Sequence, residues 1–217
     1  AQEAGRLRDL LGEWLALERE RPVSFTVLAC EQENRLVIEG IEIRLFIDRI
    51  DRLESGAGGQ SGQSGQRMVL DYKTGSQVSH KTWADERIRE PQLPIYAAFL
   101  PAAEGAGEIA AVVFGRVRQA DCRFIGIAGE GGLLPGVAGI SEDEARKVFD
   151  TMGDWPGLLE HWRSRIRAIA LEIRAGEAAV FFDDEKDLVY CDVKPLLRLA
   201  ERRVQQESVA EFAEDVE

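Results

Sequence analysis

Near the start of the chain, Leu7, Leu10, Leu11, Trp14 and Leu17 recur at three- and four-residue steps. That spacing predicts an amphipathic helix over 3–21, ended by Pro22. The period then shortens to two. Phe25, Val27 and Ala29 alternate with polar neighbours and predict a strand over 24–32, with further strands over 36–39 and 41–53. Ile41, Ile43, Leu45 and Ile47 share one face of the last of these. Glu42, Arg44, Phe46, Asp48 and Ile50 share the other.

A low-complexity Gly/Ser/Gln stretch over 56–66 follows and reads as an extended, flexible hairpin loop. It is not a phosphate-cradling loop, because no Lys-Ser/Thr pair ends it and no helix follows. Residues 68–73 read as a strand, 82–89 as a short helix before Pro91, and 92–103 as a helix with Pro94 in its first turn. A hairpin around Gln119-Ala120-Asp121 joins strands over 109–117 and 122–128, and 129–139 is a Gly-rich loop. Ser141 and Glu144 have capping-box spacing. Leu159, Trp162, Ile166, Ile169 and Ile173 predict a long helix over 156–175 closed at Gly176, and 194–206 reads as a last helix. This order of elements predicts an α/β fold with a mixed sheet flanked by helices. No internal repeat and no domain boundary is visible in 1–206.

The chain has 217 residues, 45% of them hydrophobic, enough for one sizeable core. No apolar run approaches the roughly 18–20 residues of a membrane span. The N-terminus lacks a signal-peptide segment and a starting Met, so the chain reads as a piece of a longer protein. Cys30, Cys122 and Cys191 form no C-x-x-C pair, which argues against a zinc site and a disulfide framework and for a reducing cytoplasm. His80 and His161 are too few for a His-rich metal site. The net charge of −12 is unfavourable for gripping a phosphate backbone. Residues 207–217 contribute five acids and no base, and read as a solvated, disordered tail. Clustered carboxylates at a metal site add negative charge of their own.

Asp71 and Lys73 stand two apart on a strand and so point the same way. Asp48 lies on the preceding strand and can converge with them across the hairpin. Phosphodiester hydrolysis needs carboxylates to hold a hard divalent cation, and a cation to orient water or neutralise developing charge. Asp48, Asp71 and the main-chain carbonyl of Tyr72 suit Mg²⁺ or Mn²⁺, with Lys73 acting on the water. Taken singly, each piece has a plainer reading. Asp-Tyr-Lys is compatible with a solvated strand face, Asp48 to Asp51 with a surface ion-pair strip, and Gln92 with Tyr96 with a helix edge packed on a sheet.

In order along the chain stand Phe46-Ile47-Asp48-Arg49-Ile50-Asp51, Val69-Leu70-Asp71-Tyr72-Lys73-Thr74-Gly75 and Pro91-Gln92-Leu93-Pro94-Ile95-Tyr96. Together they resemble the PD-(D/E)xK nuclease superfamily, and within it the RecB/AddB-type nuclease domains of DNA-repair proteins. The resemblance implies a restriction-endonuclease-like α/β core over 1–206 with a helical C-terminal extension. It implies metal-binding roles for Asp48 and Asp71, a catalytic role for Lys73, and contact with DNA or support of the lysine for Gln92 and Tyr96. Asp51 reads as a structural partner of Arg49 or Arg52. An upstream acid often completes such sites. Glu31 is the candidate ligand and Glu18 a second, each equally readable as an ion-pair partner for Arg21 or Arg35. Many relatives carry a His on the first helix, and none lies in 1–22. AddB-type relatives hold an iron–sulfur cluster. Here Cys191 matches one ligand position, but Leu188 and Leu197 occupy its neighbours' places, so no cluster is expected. Leu196-Leu197-Arg198 reads instead as an apolar helix face, with Cys191 as a small buried hydrophobe.

The resemblance implies a Mg²⁺/Mn²⁺-dependent, exonucleolytic deoxyribonuclease acting on single-stranded or unwound DNA ends in repair. The cell compartment expected is the cytoplasm, with a helicase or helicase-like domain as partner and no membrane. The alternative is a catalytically silent nuclease-like scaffold that binds DNA or a helicase partner.

Overall fold

The computed structural model describes residues 2–54, 65–100, 107–177, 188–189, 191–199 and 201. They fall into two compact units, 1–175 and 176–217. The first unit opens with α1 (Gln2–Arg19) and continues with β1 (Phe25–Ile38), β2 (Ile41–Leu53), β3 (Arg67–Lys73), α2 (Gln92–Phe99), β4 (Ile109–Arg116), β5 (Arg123–Ala128), α3 (Asp143–Phe149) and α4 (Trp155–Ala175). The five strands form one sheet in sequence order. Neighbours are antiparallel except β3 and β4, which run parallel with α2 between them. This is the restriction-endonuclease-like mixed sheet flanked by helices.

The strands expected over 24–32 and 36–39 form one strand, β1, because nothing between them supplies a turn. The turn comes at Glu39-Gly40, both at positive φ (+49° and +82°), the two-residue geometry that matches strand twist. One face of the sheet carries Ile47, Ile50, Val69, Val112 and Phe114 against α2, α3 and α4. The other carries Leu53, Met68, Leu70, Val113 and Phe124 against Trp14 of α1. Interior strand β4 is buried along its whole length, as a strand covered on both faces must be.

Four local expectations are corrected. Of the leucine stripe on the first helix, Leu7 and Leu11 are exposed, because only Trp14 and its neighbours toward Pro22 reach the sheet. Residues 82–89 contain only a 3₁₀ turn, Lys81–Ala84, around buried Trp83. Ser141 does not cap α3. Glu142 occupies that position and its Oε2 accepts from the amide of Gly139 at 3.1 Å. Finally, Ile50 packs with Ile47 rather than opposite it. Side chains alternate along a regular strand, so residues 47 and 50 on one face mean that β2 turns over between them. Its partner does the same. Glu31 lies between Cys30, opposite Arg49, and Gln32, opposite Ile47, and adopts φ +50° inside a strand. The hairpin thus switches faces at the level of Glu31 and Asp48.

α4 begins where Asp154 Oδ1 accepts from the amide of Gly157 at 2.8 Å and ends at Gly176, φ +74°. In the second unit, α5 (Lys194–Leu197) is a single turn stopped by Arg198 at φ +50°. Leu196 is exposed there and Cys191 only half-buried, so the expected apolar packing face is not formed. The loop over 56–64 and the tail over 207–217 lie outside the described residues. Among the described residues, no helix is long and apolar enough to cross a membrane.

Candidate active site

The site forms where β2 and β3 part company. Their ladder runs from Arg52↔Arg67 to Arg49↔Leu70 and stops. One step further, Asp48 supplies a side-chain acceptor: its Oδ2 takes the amide proton of Tyr72 at 2.7 Å. The N–H and C=O of one strand residue point to the same side. The Tyr72 carbonyl therefore also faces the β2 side, next to the Asp48 carboxylate. Lys73 faces the other way, its carbonyl accepting from Val117 at 2.9 Å.

Asp71 and Lys73 share a side with Val69, toward α2, as their spacing requires. Asp71 is only 5% exposed. Its Oδ2 lies 2.8 Å from Lys73 Nζ, yet that buried oxygen accepts no well-aligned hydrogen bond. Burial raises the Asp71 carboxyl above the usual carboxylate range. Lys73 pulls it down, but does not win, and the Asp48 charge pushes it further up. Lys73 is half-exposed, with Nζ 5.5 Å from the Phe114 ring centre.

α2 closes the site from above. Gln92 donates from Nε2 to the Phe46 carbonyl at 2.8 Å, fixing the helix to β2 just before Asp48. One turn on, Tyr96 is fully buried and its hydroxyl has no hydrogen-bond partner. Burial pushes it up to about 12; nearby Gln92 eases that shift, while the Asp71 and Asp48 charges add to it. The tyrosine hydroxyl lies beside Gln92, within the field of the Asp71 and Asp48 carboxylates.

Behind the site lies a buried ion-pair network in which Asp51 partners Arg49, and Glu18 partners Arg21, two of the pairings the sequence offered. Arg49 grips Asp51 with both arms of its guanidinium, Nε to Oδ1 at 2.7 Å and Nη2 to Oδ2 at 2.9 Å. Its Nη1 reaches Glu18 Oε1 at 2.7 Å and the Tyr72 hydroxyl at 3.0 Å. Arg21 Nη1 completes the ring, donating to Asp51 at 2.7 Å and Glu18 at 3.1 Å. Burial lowers the Arg49 pKa, but Asp51, Tyr72 and Glu18 outweigh it and hold the group above its ordinary value. Trp14 meets the Tyr72 ring edge-on at 5.5 Å. That packing requires Gly115, where a Cβ would lie 2.9 Å from the Trp14 ring and 3.0 Å from Tyr72. Two signals in the sequence pointed here: a charged Glu18 on the apolar stripe of a helix, and an arginine flanked by two acids on a strand.

The structure therefore brings together Asp48, Asp71, Tyr72, Lys73, Gln92 and Tyr96. It does not bring Glu18 to them, and it sets Glu31 across the β1–β2 ladder from Asp48, between the pairs Cys30↔Arg49 and Gln32↔Ile47. Glu31 is exposed, and no group of three or more His, Cys, Asp or Glu poised to hold a metal occurs among the described residues. The αL conformation of Glu31 interrupts the regular strand at that point. Glu18 is engaged by two arginines. What remains is a donor set of two carboxylates and one carbonyl, all hard oxygens, with Asp71 Oδ2 desolvated and paired only with Lys73 Nζ among the described residues. That set fits a hard divalent cation.

Comparison with curated proteins gave no match. A family model described as the PD-(D/E)XK nuclease superfamily matches residues 1–196. The match takes in every strand of the sheet and most of the chain's length, and the chain belongs to that superfamily.

Proposed function

We propose that this chain is a Mg²⁺- or Mn²⁺-dependent deoxyribonuclease of the RecB/AddB type, acting exonucleolytically in DNA repair. The observation that carries the reading is the Asp71–Lys73 pair: a nearly buried carboxylate and an ammonium on one strand face, beside Asp48. A protein serving only as a scaffold has no physical need to desolvate a carboxylate there. Asp48, Asp71 and the Tyr72 carbonyl would hold the cation, which supplies Lewis-acid stabilisation of the charge that develops at phosphorus.

The protein's own groups do the rest. Lys73 Nζ, half-exposed, orients the attacking water and donates to the phosphate oxygen facing it. Tyr96, fully buried on α2, supports the Asp71–Lys73 pair from the helix side. Gln92 holds α2 at a fixed distance from β2. Arg49, acting through the Tyr72 hydroxyl, fixes the strand that presents both the carbonyl and Lys73.

Cleavage of exposed ends fits a site at the open end of a sheet. A chain of net charge −12 is short of phosphate-binding cations, which fits delivery of DNA by a helicase or helicase-like partner. Free Cys30, Cys122 and Cys191 suit the cytoplasm. Leu188 and Leu197 in place of cysteines argue for a domain without an iron–sulfur cluster.

The test is degradation of end-labelled single- and double-stranded DNA with Mg²⁺ or Mn²⁺, by wild type and Lys73→Ala. Wild type should cleave and the variant should not. Absence of cleavage by wild type on every substrate would favour the silent scaffold.

A further inference from the structure

Lys73 is the first of three cations in a row, and the other two have no part in the site described above. β3 and β4 run parallel with Lys73 opposite Arg116, and β4 and β5 run antiparallel with Arg116 opposite Arg123. Residues paired across a ladder point to the same face, so the three side chains share one. That face is the α2 side. One pair earlier, Asp71 stands opposite Phe114 and Phe114 opposite Ile125, and both Phe114 and Ile125 pack in the core beneath α2. Gly115, between Phe114 and Arg116, looks the other way, toward Trp14 and Tyr72. Like charges at neighbouring positions repel. Asp121, in the turn after β4, meets two of the three: its Oδ2 pairs with Arg116 Nη2, and its Oδ1 lies 2.8 Å from Arg123 Nη2. One carboxylate against two guanidiniums leaves a unit of positive charge over, in a chain of net charge −12. The Arg116 side chain is 9% exposed and its buried Nε has no hydrogen-bond partner; among the described residues Asp121 is its one ion-pair partner. Burying a cation with donors unfilled costs stability, and an apolar residue would serve the fold as well there.

We propose that Arg116, with Arg123 beside it and Asp121 aligning both, binds the substrate phosphate adjoining the one that Lys73 faces. The proposal rests on the nuclease reading and deepens it by adding substrate-contacting residues to the same site. Neighbouring strands lie about 4.8 Å apart. One such step separates the backbone at Lys73 from that at Arg116, and two steps, about 10 Å, separate it from Arg123. The row therefore continues directly from the catalytic lysine, on its own sheet face and at its own level. The stem of Arg116 is buried, but its tip is drawn to Asp121, whose side chain is 28% exposed, and Arg123 is 56% exposed. The guanidinium ends thus lie where a phosphate can arrive. A guanidinium matches two phosphate oxygens with parallel N–H donors, and Asp121 holds the plane of the fork in advance. With a phosphate bound, two guanidiniums face one carboxylate and one phosphate, and the charges balance.

The test uses the full chain carrying Asp71→Asn, so that DNA is bound and not cut, in the presence of Mg²⁺. Fluorescence anisotropy compares a short end-labelled oligonucleotide with a series in which one linkage at a time, counted from the unlabelled end, is a neutral methylphosphonate. Neutralising the linkage that Arg116 holds should weaken binding about tenfold. Arg116→Gln should weaken the all-phosphate strand by a similar factor, reduce the salt slope by about one, and lose nothing further at that linkage. Arg116→Lys, which keeps the charge but not the fork, should fall between. If Arg116→Gln melts far below its parent, Arg123→Gln, at the exposed position, reads the same linkage. Asp121→Asn should tighten binding more than Asp9→Asn, which removes an exposed acid from α1. A purely structural ion pair predicts lost stability and no such gain in affinity. The proposal is overturned if no linkage couples to Arg116 or Arg123, if Asp121→Asn binds no tighter than Asp9→Asn, or if the protein binds no DNA. Failure of the nuclease reading is distinguishable: wild type would then cut no DNA, whatever the coupling between arginine and linkage.

Discussion

Asp48 accepts the Tyr72 amide proton at 2.7 Å, one strand over and just past the last backbone pair of the β2–β3 ladder. A candidate metal ligand therefore also serves as the stop of a β-ladder. Its carboxylate is oriented before any cation arrives, and the Tyr72 carbonyl is aligned with it by the same bond. The two duties can be separated. Asp48→Asn keeps an acceptor and removes the charge, so it should fold with near wild-type stability and lose cleavage at least 100-fold. Asp48→Ala should lose cleavage as well and, in addition, about 1 kcal/mol of stability. Urea unfolding alongside the end-labelled DNA assay measures both.

Asp71 is destabilised for the sake of the site. Its carboxyl sits above the ordinary range because burial outweighs Lys73. The folded protein therefore holds that proton more tightly than the unfolded chain, and at neutral pH the ionised group subtracts from stability. Asp71→Asn should raise the melting temperature in metal-free buffer while abolishing cleavage. Wild type, but not Asp71→Asn, should gain stability as Mg²⁺ is added. A variant that melts lower than wild type in metal-free buffer would show that the Lys73 contact outweighs desolvation.

The Glu18–Arg21–Arg49–Asp51 ring is balanced, two charges of each sign, and Asp51 is fully buried. Removing one member strands the others. Asp51→Ala leaves Arg49 and Arg21 without their shared carboxylate and should cost about 3–5 kcal/mol, read from urea midpoints. Arg49→Lys is not a conservative replacement, because an ammonium cannot grip Asp51 with two arms and still reach Tyr72.

Glu31 and its αL backbone predict the opposite sign. Glycine takes φ +50° without steric cost, so Glu31→Gly should stabilise the fold by about 1 kcal/mol. Cleavage should stay at the wild-type rate. A loss beyond about tenfold would return Glu31 to the ligand set.

Burial, with a smaller push from Lys81, holds His80 down at about 4 against an ordinary 6.5. Between those values the unfolded chain binds the proton and the folded one does not. Stability is therefore full above pH 6.5 and falls as pH drops toward 4, by on the order of 2 kcal/mol. His161 shifts the same way, mainly through burial. His80→Gln should flatten part of the slope in a series of melts from pH 7 to 4, and an unchanged slope would remove His80 from the account.

Periodicity alone carried the long elements. The bounds of β2, and nearly those of α4, β3, β4 and β5, follow from apolar spacing and from Gly and Pro punctuation, because those are local backbone constraints. Asp71 and Lys73 shared a face for the same local reason. Their junction with Asp48, Gln92 and Tyr96 followed from motif order, not from any single residue. Three things were decided only by the packed chain. The face switch at Glu31 and Asp48 breaks the two-residue period on which strand reading depends, and nothing in Cys30-Glu31-Gln32 announces a left-handed residue. The burial of Glu18, Arg21, Arg49 and Asp51 depends on α1 packing against the sheet, so residues that read in sequence as separate ion-pair partners became one interior ring. The pKa of Asp71 depends on how much water α2 and the sheet exclude. Local sequence fixes where a side chain points along its own element; desolvation and cross-element pairing belong to the whole fold, and the chemistry of this site depends on them.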